Sequence, residues 1–66
     1  MKLDIDPKRF KVTVYRTEGY SAVRIIDQKT GIEATHDKRK SVTKNRQIAY
    51  LELLEKIEEK TGERVS

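Results

Sequence analysis

The chain has 66 residues, 39% of them charged and 35% hydrophobic, with one histidine, no cysteine and a formal net charge of +4. That length suits one domain with a small core, and the lack of cysteine excludes a disulfide framework or a thiolate metal site within this chain. His36 is the single histidine and cannot build a metal site unless carboxylates help, so no metal centre is expected, and no cofactor is expected either.

No apolar run approaches the roughly 20 residues a membrane span needs. The opening "MKLDIDPKRF" has acids where a signal peptide would be apolar, so a cytoplasmic location is expected. The charge is unevenly spread. Residues 1–46 hold twelve Lys or Arg against six Asp or Glu, a net of +6, while residues 47–66 hold three against five, a net of −2. A basic excess confined to one part of a small fold suits a polyanion, most often nucleic acid.

In chain order, "FKVTVYR" alternates: Phe10, Val12 and Val14 share one side, and Lys11, Thr13 and Tyr15 the other. Its period of two predicts a half-buried strand, and Pro7 stands where a strand can begin without losing a ladder bond. "SAVRIID" predicts a second strand, with Val23 and Ile25 on one face and Ala22, Arg24 and Ile26 on the other. "DQKTG" predicts a hairpin loop, closed by a positive φ at Gly31. "IEATHD" predicts a third strand, with Ile32 and Ala34 turned inward.

After the charged "DKRKS", Ser41 or Thr43 can cap a helix that runs from Lys44 to about Thr61, with Gly62 as its terminator. Ile48, Leu51, Leu54 and Ile57 form the expected apolar stripe, widened by Ala49 and Leu53, and Tyr50 falls beside it. Glu52, Glu55, Lys56 and Glu59 make the opposite face, where Glu52 and Lys56 suit an i, i+4 pair. The expected fold is α+β: one domain over 1–66, a three-stranded antiparallel sheet packed on one C-terminal amphipathic helix, with 1–7 and 63–66 frayed.

"SAVRIIDQKTGIEAT" resembles the segment that follows the catalytic loop of class I peptide chain release factors and the ribosome-rescue hydrolases. Ser21, Ala22, Val23, Arg24 and Ile25 match in order, then Thr30, Gly31 and Ile32 at the same spacing. Ser41, Lys44, Asn45, Arg46 and Ala49 match the pattern that opens the family's C-terminal helix. The likeness needs no gap from Ser21 to about Leu54. It departs at "IDQK", which lacks the family's histidine and proline. It departs further between Arg16 and Ser21, where "TEGY" stands in place of a glycine-rich loop carrying Gly-Gly-Gln. In the family that loop positions water against the peptidyl-tRNA ester. Its loss implies that this chain is not an enzyme of that kind. Ser21 with His36, or Glu18 with Glu33, makes no better catalytic pair, since a strand-end polar residue and solvated charges explain them.

Binding remains. Lys38, Arg39 and Lys40 precede the helix, and Lys44 and Arg46 lie in its opening, where free N–H groups already favour an anion. The resemblance implies ribosomal RNA, or the ribosome, as partner of that segment. Arg24, Lys11 and Tyr15 are further candidates on the open sheet face. One alternative is a DNA-binding three-stranded-sheet module, in which Lys11, Thr13, Tyr15 and Arg24 would enter the major groove. The other is a small accessory or inhibitor protein, for example from a phage or mobile element, that acts by protein–protein binding.

Overall fold

A computed structural model of the chain describes residues 5–38 and 40–64. Three strands, β1 (Phe10–Thr17), β2 (Tyr20–Asp27) and β3 (Glu33–His36), are followed by one helix, α1 (Val42–Thr61). The strands form one antiparallel sheet in the order β1-β2-β3. The fold is the α+β arrangement expected from the alternation. Among the described residues, no helix is long and apolar enough to cross a membrane.

The register fixes what each face carries. Val12 pairs with Ile25, which pairs with Ala34; Val14 pairs with Val23, which pairs with His36. Alternation therefore puts Phe10, Val12, Val14 and Arg16 on the helix side with Ser21, Val23, Ile25 and Asp27. Lys11, Thr13, Tyr15 and Thr17 lie on the open side with Tyr20, Ala22, Arg24 and Ile26. The core consists of Phe10, Val23, Ile25 and Ala34 from the sheet and Ala49, Tyr50, Leu53 and Ile57 from the helix. α1 packs on β2 and β3. Tyr50 meets Phe10 edge-on at 5.4 Å, the favoured geometry for two rings. Because the helix leans away from the outer part of β1, Val14 stays 47% exposed although its parity is that of the core.

The buried row of the helix differs from the expected stripe. Asn45, Ala49, Leu53 and Ile57 are fully covered, while Ile48 and Leu54 are half-buried and Leu51 is 54% exposed. The reason is geometric. At about 3.6 residues per turn, a step of three slips by roughly 60° and a step of four by roughly 40° in the other sense. Ile48, Leu51 and Leu54 therefore swing off the contact, whereas a four-residue row stays on it. Glu52 and Lys56 also depart from their expected solvent-facing pair. Glu52 lies 3.5 Å from His36 and Lys56 donates to the Glu33 carbonyl at 3.2 Å, so both reach across to β3.

Ser41 is the N-cap, in extended conformation, and its hydroxyl accepts from the Lys44 amide at 3.4 Å. Helix formation thus begins at Val42, two residues before the expected Lys44. Gly62 ends the helix with φ at +75°, and its amide donates to the Glu58 carbonyl. Described residues within the segments expected to fray make contacts. Ile5 packs against the core, Asp6 accepts from the Lys8 amide, and Glu63 is ion-paired. The rest of the expected frayed ends, 1–4 and 65–66, lies outside the described residues.

The phase of the helix is open to a direct check. Leu53→Ala should lower stability by about 2–4 kcal/mol, as a truncated core leucine does, and Leu51→Ala should stay within about 0.5 kcal/mol. Urea denaturation of the two variants measures both, and a larger cost at Leu51 would restore the three-residue stripe.

Candidate nucleic-acid interface

Two polar clusters sit at opposite ends of the helix and position what lies beside them. At the helix start, Asn45 is fully buried, and its side-chain amide donates to the Ser21 carbonyl and to the Ser21 hydroxyl, both at 3.3 Å. The Ser21 hydroxyl donates in turn to the Lys40 carbonyl at 3.2 Å. One knot thereby joins the start of β2, the β3–α1 loop and the first turn of α1. An asparagine inside a helix usually competes with its backbone; here its amide is used across the fold instead.

At the other end, Asp27 has no exposure, yet its carboxylate is well satisfied. It accepts from Arg9 through Nε at 2.9 Å and a terminal nitrogen at 3.0 Å, from the Thr30 hydroxyl at 2.8 Å, and from the Lys29 amide at 3.1 Å. Arg9 also meets Glu63 at 2.5 Å, and Lys29 meets Glu63 at 3.1 Å. The network ties the start of β1, the β2–β3 loop and the residue after the helix together. Gly31 completes that loop at φ +78°, its amide donating to the Asp27 carbonyl at 2.7 Å. Hydrogen bonds from Arg9 above all hold the Asp27 carboxyl down at about 2, and Arg9, then Lys29, lower that of Glu63.

The β1–β2 hairpin turns in two residues, Glu18 and Gly19, with Thr17 paired to Tyr20. Gly19 adopts φ +76° and Glu18 does not have a positive φ. A type I′ turn needs both, so this turn relies on the glycine alone. The hairpin tip and the β3–α1 loop bound an open groove of about 850 Å³ lined by Arg16, Thr17, Tyr20, Ser21, Asp37, Lys38 and Lys40, among others. Tyr20 spans it: its hydroxyl donates to Asp37 at 3.2 Å, a bond that raises the phenol's pKa.

The residues expected to contact nucleic acid divide into two groups. Lys38, Lys40, Lys44 and Arg46 are exposed around the groove and helix start, and none forms an ion pair among the described residues. Arg39 lies outside the described residues. Lys11, Tyr15 and Arg24 are on the open face as expected, but Lys11 sits four residues from Tyr15, roughly 13 Å along the strand and away from the groove. Arg24 is engaged: it hydrogen-bonds Glu33 through Nε at 3.1 Å and through a second nitrogen, and Glu33 first, then Tyr15, raises its pKa. That pairing offsets the charge a DNA-reading sheet would present.

Arg16 and Tyr20 belong to the groove, and Arg16 is not among the contacts expected from the sequence. Their signal was the shortness of "TEGY" itself, because a two-residue turn pairs Thr17 with Tyr20 and leaves Arg16 one position behind the tip. His36, expected as a strand-end polar residue, is the last residue of β3; its Nε2 is buried without a partner among the described residues.

Most positions that carry the family likeness have an evident part in the fold. Val23, Ile25 and Ala49 are core, and Ala22 is covered. Ser21 and Asn45 hold each other, Arg24 holds Glu33, Thr30 holds Asp27, Gly31 turns the loop and Ser41 caps the helix. Lys44 and Arg46 have no such part among the described residues.

Acid should expose the Asp27 network. With its carboxyl held at about 2 against an ordinary 3.8, the stabilisation is complete above pH 4 and disappears as the pH falls through 2. Arg9→Met leaves the buried carboxylate without its main partner and should cost roughly 3 kcal/mol at pH 7. Denaturation across pH 2–7 measures both effects, and the gap between wild type and variant should narrow toward pH 2.

No protein-family model, curated protein or solved structure matches the chain.

Proposed function

We propose that this protein is a non-catalytic, release-factor-like domain that binds RNA, with the ribosome as its site of action, through the basic start of its helix. One observation carries the reading: Lys44 and Arg46, the two positions of the likeness to which the fold assigns no part, are both exposed cations at the opening of α1. Lys38 and Lys40 extend that charge along the preceding loop. The first helical turn contains no acid, an arrangement unfavourable to the helix alone and favourable to a bound phosphate. Glu18 and Asp37 lie among the cations, but Asp37 is engaged by Tyr20.

The absence of catalysis is part of the proposal. Two turn residues, Glu18 and Gly19, stand where the family carries its long catalytic loop, and neither supplies a glutamine. The engagement of Arg24 with Glu33 favours this reading over sheet-mediated DNA recognition.

Ribosomes pelleted at moderate salt should carry the protein down. Four phosphate contacts on a single strand imply a slope of log affinity against log salt near −3, at about −0.7 per contact. Lys44→Glu with Arg46→Glu should weaken binding at least tenfold and reduce the slope, with the circular dichroism spectrum unchanged. No co-sedimentation and no binding to RNA would sink the proposal, and peptide release from stalled ribosomes would overturn its non-catalytic part.

A further inference from the structure

The open face of the sheet carries an aromatic pair beside the groove. Tyr15 lies opposite Ala22 in the register, and Thr17 lies opposite Tyr20. Tyr15 and Tyr20 are therefore diagonal neighbours on the same face, roughly 7–8 Å apart and within reach of one flat ligand. The two are 47% and 50% exposed, while Ala22, the small residue between them, is 3% exposed. The Tyr20 ring is anchored at its hydroxyl by Asp37. An anchored, exposed ring has less freedom to lose when something stacks on it.

The groove beside this pair holds three cations against two carboxylates, Glu18 and Asp37. Arg16, Lys38 and Lys40 line the groove that Tyr20 borders, and none of the three forms an ion pair among the described residues. Aromatic faces next to a cationic track suit one polymer in particular: a phosphate backbone whose bases are free to leave their own stack. A duplex offers the same phosphates but keeps its bases inside.

Resting on the RNA-binding reading above, we infer that the preferred ligand is unpaired RNA, with bases stacked on Tyr15 and Tyr20 and phosphates held along Arg16, Lys38 and Lys40. The Lys44 and Arg46 end of the site then supplies strength without discrimination, and the tyrosine pair selects the single strand.

The chain contains three tyrosines and no tryptophan, so tyrosine emission is its own signal for stacking. A labelled eight-nucleotide uridine RNA, alone and annealed to its complement, tests the inference by anisotropy at one salt concentration. The wild-type protein should bind the single strand at least tenfold tighter than the duplex, with tyrosine emission quenched. Tyr15→Leu with Tyr20→Leu keeps bulk but removes the π faces; it should lose roughly tenfold or more on the single strand and leave duplex binding unchanged. Tyr20→Phe, which keeps the ring, should stay within about threefold of wild type, since every base can still stack there.

Equal wild-type affinity for the two probes, or full single-strand affinity in the double leucine variant, would overturn the stacking inference. If Lys44→Glu with Arg46→Glu still weakened both probes, RNA binding itself would stand. Binding of neither probe would remove both readings together. The comparison of strand states uses the wild-type protein, so it remains decisive even if a variant fails to fold.

Discussion

The side-chain amide of Asn45 sets where the surface features of this protein can be. It is buried at the first turn of the helix and bonded to both the carbonyl and the hydroxyl of Ser21. Ser21 is the residue that follows Tyr20 after the hairpin turn, and its hydroxyl also holds the Lys40 carbonyl. The hairpin tip, the charged loop and the helix N-terminus thus share one anchor. A buried amide left without partners costs on the order of 1–3 kcal/mol, so the geometry is enforced by the penalty for breaking it. The groove between Arg16 and Lys40 exists because these three pieces cannot separate cheaply.

Asp27 does the corresponding work at the far end, by different means. A buried carboxylate is tolerable only when charge and hydrogen bonds compensate its lost hydration. Here Arg9, Thr30 and the Lys29 amide all converge on it. With Glu63 joined to Arg9 and Lys29, the end of the helix is clamped to the sheet. In a domain whose core counts eight of the described residues, two of them alanine, these two polar knots fix the ends of a helix that apolar burial holds in the middle.

The strands, the glycine that closes the β2–β3 loop and the existence of the helix were legible because each rests on a local rule: alternation, positive φ, a capping serine. Gly31, Ser41 and Gly62 serve as their residue types suggest. The phase of the helix was not legible. Leu51 is more hydrophobic than Asn45, yet the four-residue phase of the contact turns Leu51 outward and Asn45 onto Ser21. Asp27 was hidden for the same reason, since a carboxylate reads as solvated until Arg9, far away in the chain, is brought to it. The candidate contacts were legible as a charge excess but not as a site. The sequence cannot tell that Arg24 is occupied by Glu33, or that Lys11 lies away from the groove where Lys38 and Lys40 gather.

The distribution of ion pairs gives the surface its direction. Arg9, Arg24 and Lys29 are each matched to a carboxylate, whereas Arg16, Lys38, Lys40, Lys44 and Arg46 are not, among the described residues. The matched cations hold loops and strands together. Lys8, Lys11 and Lys60 are also unpaired among the described residues but lie elsewhere, whereas the other five gather around the groove and the helix start, where a cation in the first turn costs a few tenths of a kcal/mol. Carboxylates are plentiful in this chain, and those of the helix fall from Glu52 onward. Five cations against the two carboxylates Glu18 and Asp37 leave an excess of positive charge at one end of so small a fold, a cost that a polyanion would remove. The short turn at Glu18 and Gly19 leaves that end open, with the anchored ring of Tyr20 at its edge.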